Sequence, residues 1–167
     1  MTDVATLIMV FIFGLVVGSF LNVCIYRLPL GQSVAWPGSR CTSCSRALAW
    51  FENIPVLSWT VLRGRCRTCQ TSISWMYPAV ELLTGALFVA TVAVYGLTPL
   101  AAVRVLFACA LVVLFFIDYE HQILPNVITL PGIAVGVVCS AFLAPGWTSS
   151  LLGVVIGGLF PWSVAEG

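Results

Sequence analysis

Lysine is absent from this chain, and charge of either sign is scarce: seven arginines and six acids make up 8% of 167 residues. Soluble globular domains carry about 25% charged residues, so the composition excludes an ordinary water-soluble domain. A net charge of +1 excludes a global basic field of the kind that gathers nucleic acid. There is one histidine, and it follows neither close cysteine pair, which excludes haem attachment through such a pair. Seven cysteines do not make an even disulfide framework.

What is there is hydrophobic. Apolar residues make up 60% of the chain, and mean hydropathy is +1.08. The pattern predicts an all-α integral membrane protein of about five transmembrane helices, with a small zinc-binding cytoplasmic loop domain between the first and second. The first span covers residues 4–26, uncharged between Asp3 and Arg27. No basic segment precedes it and no clean small-residue cleavage site breaks it, so it reads as a retained span rather than a signal peptide. Gly14 and Gly18 give it a small-xxx-small face for close helix packing. Residues 27–76 form the loop domain. Residues 77–167 form a membrane domain with spans at about 77–95, 100–117, 123–143 and 151–167, with turns at Gly96–Pro99 and Ala144–Ser150. Pro131 is expected to kink the fourth span. No internal repeat is read from the sequence.

Six of the seven arginines (Arg27, Arg40, Arg46, Arg63, Arg65 and Arg67) fall in the one loop. The positive-inside rule then puts the loop in the cytoplasm and the N-terminus outside, and arginines beside anionic headgroups make membrane lipid a partner. Within the loop, Cys41-Thr42-Ser43-Cys44 and Cys66-Arg67-Thr68-Cys69 are two C-x2-C pairs separated by 21 residues. Four thiolates converging from two such turns suit tetrahedral zinc, and a loop with so little core gains its folding energy from the metal. Four sulfurs leave no open coordination position, so the zinc is structural. Disulfides or redox pairs are the competing reading, disfavoured in a reducing compartment. Cys24, Cys109 and Cys139 read as apolar packing residues.

Asp118 and Glu120 stand between two charge-free stretches, from Val105 to Ile117 and from Gln122 to Ala165. An acid at that depth either marks the water boundary of a span or belongs to a functional site. His121 reads as a solvated interfacial residue or a proton relay. Glu81, placed in the first turn of the second span, reads as an anion favoured by a helix N-terminus or as a substrate contact.

These motifs resemble those of type IV prepilin peptidases. The first-span signature is Gly18-Ser19-Phe20-Leu21-Asn22-Val23-Cys24-Ile25-Tyr26-Arg27-Leu28-Pro29. Asn53-Ile54-Pro55-Val56-Leu57-Ser58-Trp59 lies between the cysteine pairs, Arg63-Gly64-Arg65 precedes the second, and Tyr77-Pro78-Ala79-Val80-Glu81 follows. Asp118, Leu124-Pro125-Asn126 and Leu130-Pro131-Gly132 resemble the segment that carries the first catalytic aspartate. The resemblance implies an aspartic peptidase of the bacterial inner membrane. It would cut the leader from prepilins or type II secretion pseudopilins at the cytoplasmic face and methylate the new N-terminus with S-adenosylmethionine. Asp118 would be catalytic, and Cys41, Cys44, Cys66 and Cys69 would hold the metal.

Three features depart from the family pattern. The first cysteine pair lacks a proline, and Met76 stands where arginine is common. No Gly-x-Gly-Asp follows Asp118: the sequence has Gly157-Gly158, and Glu166 is the one acid after that pair. The expectation is the front part of such an enzyme, inactive alone because aspartic catalysis takes two carboxylates sharing a proton. A non-catalytic module that binds pilin precursors, or a small transporter with an acidic relay at Asp118, are the other readings.

Overall fold

The computed structural model describes residues 3–143 and 146–165. Among them are six α-helices: α1 (Val4–Arg27), α2 (Leu57–Val61), α3 (Met76–Tyr95), α4 (Pro99–His121), α5 (Asn126–Ser140) and α6 (Trp147–Ala165). A single 3-10 turn, Trp50–Asn53, precedes α2. The chain divides into two units, residues 1–124 and residues 125–167.

In the first unit, α1, α3 and α4 are long and apolar enough to cross a membrane. At 24, 20 and 23 residues and about 1.5 Å per residue they match or exceed a hydrocarbon core of about 30 Å. Asp3 caps α1 by accepting from the Thr6 amide, and Thr98 caps α4 by accepting from Ala101, with Pro99 opening that helix. Outward residues such as Ile12, Phe13, Leu83, Phe107 and Phe115 are exposed and apolar. Inward residues are mostly aliphatic, among them Leu21, Ile25, Val80 and Ile117, but glycines stand where α1 and α3 come closest. A Cβ built on Gly14 would lie 2.7 Å from the Gly85 Cα, and one on Gly18 would lie 2.7 Å from the Glu81 Cα. The expected small-residue face on α1 is therefore the seam with α3, where the backbones touch.

The third expected span stops short of the observed helix. α4 continues through Asp118 and Glu120 to His121 and closes at Gln122, in the left-handed region at φ +53°, whose amide donates to the Asp118 carbonyl at 2.8 Å. Both acids are thus in the last helical turn and exposed. The short Gly96–Thr98 link reverses the chain, so this end of α4 lies with the start of α3 and with the loop domain.

In the second unit, α5 has 15 residues, about 22 Å, which is shorter than the expected span at residues 123–143. Pro131 lies inside it. α6 starts at Trp147 rather than at residue 151. Ala144 and Pro145 of the expected turn, Glu166, and the final residues of the expected last span lie outside the described residues.

Candidate functional site

The loop between α1 and α3 folds around its cysteines. Cys41, Cys44, Cys66 and Cys69 bring their sulfurs within 4.8 Å of one another, although the pairs are 21 residues apart. Sulfurs on one tetrahedral ion at about 2.3 Å stand roughly 3.8 Å apart. Cys41 Sγ and Cys69 Sγ are separated by 3.7 Å, so the four thiolates fit a single metal ion.

The two halves of this centre are copies of one turn, a repeat the sequence pattern alone had not revealed. The Cys41 amide donates to the Arg46 carbonyl and the Ser45 amide to the Cys41 carbonyl, both at 2.9 Å. Twenty-five residues on, the Cys66 amide donates to Thr71 at 2.9 Å and Gln70 to Cys66 at 3.0 Å. The fifth residue of each turn takes a positive φ, +57° at Ser45 and +58° at Gln70. A bridge closes each base, Arg40 to Ala47 and Arg65 to Ser72. Only the cysteines and the preceding arginines match by identity, so composition hides the repeat. Each turn aims amides at sulfur. The backbone N–H groups of Cys69 and then Thr68 pull the Cys66 thiol down to about 6, which prepares it as a thiolate ligand.

An ion pair between the half-buried Arg46 and the buried Glu52 braces the centre, and sequence reading missed it. Arg46 makes two bonds to Glu52, at 2.9 and 2.7 Å, and the Glu52 carboxylate also accepts from the Ala49 amide at 2.8 Å. Arg46, with the Ala49 amide adding to it, holds the Glu52 carboxyl down at about 2. The guanidinium is in turn held in its charged form, first by Glu52 and also by the Cys66 sulfur. Arg46 is therefore an arginine beside the thiolates, and Arg67 stacks over Phe51 at 5.7 Å. The six-residue separation of Arg46 and Glu52 fits no helical or strand pairing, so the sequence carried no signal for the pair.

Gly64 and Trp59 fix the second turn. Gly64 has φ +64°, and a Cβ there would lie 2.8 Å from the Trp59 ring. The indole Nε1 donates to the Ile73 carbonyl at 3.2 Å.

Between this loop and the α1–α3 seam is a cleft of about 930 Å³ whose lining includes Ser19, Asn22, Tyr26, Trp59, Tyr77 and Glu81. Glu81 sits in the second turn of α3, not the first as expected, because the helix starts at Met76. The helix N-terminus is therefore not what holds it. It is 7% exposed, and its Oε2 accepts from the Val56 amide at 2.7 Å. Val56 has φ +59° and ψ −47°, and the Leu57 amide turns back to the Pro55 carbonyl. That is the strained form of γ-turn, costly for a β-branched residue. Asn22, also buried, donates from Nδ2 to the Tyr77 carbonyl at 3.0 Å.

The remaining sequence candidates are less constrained. His121 Nε2 stands 3.9 Å from Glu120, both about 40% exposed, which suits a solvated pair. Cys24, Cys109 and Cys139 are half-buried and unpaired by disulfide, as expected of packing residues.

Comparison with known proteins bears on the same segments. Residues 12–95 match the family described as Bacterial Peptidase A24 N-terminal domain, and residues 105–166 match the Type IV leader peptidase family. A Myxococcus xanthus protein named prepilin leader peptidase/N-methyltransferase is 46% identical over 90% of this chain and 45% of its own length. Proteins of that name from Dichelobacter nodosus and Stutzerimonas stutzeri are 39% and 36% identical, over 92% of this chain and 63% and 61% of theirs. The chain spans about half to three fifths of the length of these relatives. No solved structure matches it. Cysteine centre, α1 signature and α4 acid fall inside the matched segments in order, and the chain belongs to the type IV leader peptidase family.

Proposed function

We propose that this chain carries one half of the catalytic apparatus of a prepilin leader peptidase and N-methyltransferase, acting at the cytoplasmic face of the bacterial inner membrane. The observation that supports this reading most directly is that Asp118 and the cysteine centre lie at the same end of the helices. A peptidase working where a substrate's apolar segment leaves the membrane needs its acid at that boundary.

Asp118 acts as one carboxylate of an aspartic dyad. Of two carboxyls sharing a proton, the ionised one draws a proton from water, and the neutral one protonates the carbonyl side of the scissile bond. The second carboxylate has no candidate in a Gly-x-Gly-Asp motif of this sequence. Zinc is the ion that suits Cys41, Cys44, Cys66 and Cys69. It supplies folding energy to the loop and takes no part in hydrolysis. S-adenosylmethionine would supply the methyl group, and a cleft of about 930 Å³ is in the size range of small-molecule sites, about 300–1,000 Å³. The substrates are prepilins or pseudopilins.

The test joins these residues to the C-terminal half of the Myxococcus xanthus relative and expresses the fusion in a strain without its own prepilin peptidase. Processed pilin on immunoblots is the expected result. Unprocessed prepilin, with the fusion present in the membrane at normal level, would contradict the proposal.

A further inference from the structure

The cleft wall holds a carboxyl group that the proposed dyad and zinc centre leave unused. Glu81 is 7% exposed, and no cationic side chain among the described residues pairs with it. A buried carboxylate without a counter-charge is expensive. The Val56 amide engages Oε2 alone, and it is held there by a strained turn, which is a further cost. Arg27, which shares the cleft, is turned away: its guanidinium donates to the carbonyls of Ser33 and Gly38 at 2.9 and 3.3 Å.

Acceptors converge around this carboxylate. The Ser19 hydroxyl lies close enough to donate to it and keeps its lone pairs as acceptors. Asn22, with its Nδ2 committed to the Tyr77 carbonyl, keeps Oδ1 as an acceptor on the same wall. The Glu81 Cα is pressed against Gly18, so the helix seam fixes where the charge stands. An anion with neighbouring acceptors suits a compact cation bearing several N–H donors, and a primary ammonium has three. A sulfonium has none.

We propose that Glu81, with Ser19 and Asn22, is a binding site for an α-ammonium group in this cleft. The identity of its carrier rests on the peptidase and methyltransferase reading above, because two ligands of that chemistry bear such a group. Cleaving a peptide bond frees an α-ammonium on the product, and the amino-acid end of S-adenosylmethionine carries another.

The test uses the full chain, zinc-loaded, in lipid nanodiscs, with binding followed by calorimetry. One arm compares the peptide amide Leu-Ala-Val-Leu with its N-acetyl form. The other uses S-adenosylhomocysteine, which keeps the α-ammonium and lacks the sulfonium, against its N-acetyl derivative. In at least one arm the free amine binds about tenfold or more tighter than the acetylated form, and the arm that responds names the source. Glu81→Gln keeps an oxygen for the Val56 amide, so zinc content and helicity stay unchanged while the free amine falls to the acetylated level. Equal binding of free and acetylated forms in both arms, or no binding in either, overturns the site even if Glu81→Gln fails to fold. Tight amine binding that survives in folded Glu81→Gln overturns it as well. None of these outcomes depends on prepilin cleavage, so the dyad can stand if the ammonium site falls.

Discussion

The Glu81 carboxylate of α3 accepts a 2.7 Å hydrogen bond from the backbone amide of Val56 in the loop. This one bond ties a membrane helix to the segment between the two cysteine turns. It joins residues 25 positions apart and passes through a backbone strained at a valine with φ +59°. Such strain persists where its surroundings over-determine it, here the α1–α3 seam on one side and the cysteine centre on the other.

The seam gives the first prediction. Gly18→Ala puts a methyl 2.7 Å from the Glu81 Cα, where backbone has to move. Overpacking of this kind costs about 1–3 kcal/mol. Thermal unfolding in detergent should show Gly18→Ala destabilised by that order and Gly132→Ala, where an added Cβ meets nothing, close to neutral. Equal stability of the two variants would remove the close approach from the account.

The seam was legible in the sequence because Gly14 and Gly18 have helical spacing in an uncharged run. The cysteine centre was legible for a similar reason: two C-x2-C pairs need no fold to be noticed. The Arg46–Glu52 pair, the repeated turn and the γ-turn at Val56 were not. Each depends on where an irregular loop returns in space, and loops carry no periodicity to read. The end of α4 was not legible either: the polar residues after Ile117 suggest a stop, whereas the helix runs past Asp118 and Glu120 to His121 and closes on a left-handed Gln122.

The cysteine centre yields the second prediction. Cys66→Ser should release the ion, measured as metal per chain by elemental analysis, and open residues 27–76 to protease. Cys109→Ser, a half-buried residue of α4, should do neither. Unchanged metal content in Cys66→Ser would overturn the site.

Acid dependence separates the ion pair from the metal. Glu52 has its carboxyl depressed from 4.5 to about 2. A depressed carboxylate contributes stability that is present above its unfolded value and lost as pH falls through its folded value. The stability difference between wild type and Glu52→Gln should therefore be constant above about pH 4.5 and shrink between there and pH 2. A difference that grows on acidification would mean the pair has the wrong sign. The comparison between the two proteins cancels the loss of metal that both undergo in acid.

Orientation is tested by labelling. With Cys24, Cys109 and Cys139 replaced by serine, a cysteine at Thr98 should react with an impermeant thiol reagent in intact cells, and one at Ser33 should not. The reverse pattern would turn the protein over and move Asp118 to the outer face.

The central claim is that Asp118 is half of a two-carboxylate catalyst, and one measurement reaches it: prepilin cleavage in detergent by purified residues 1–167, with and without the C-terminal half of a relative. The chain alone should leave prepilin uncleaved. The reconstituted pair should cleave it, and Asp118→Asn should abolish that cleavage, since removing one member of a cooperating unit costs nearly as much as removing all. If residues 1–167 alone cleave prepilin at a rate that Asp118→Asn abolishes, the two-aspartate account is contradicted and Glu120 becomes the first suspect for the second carboxylate.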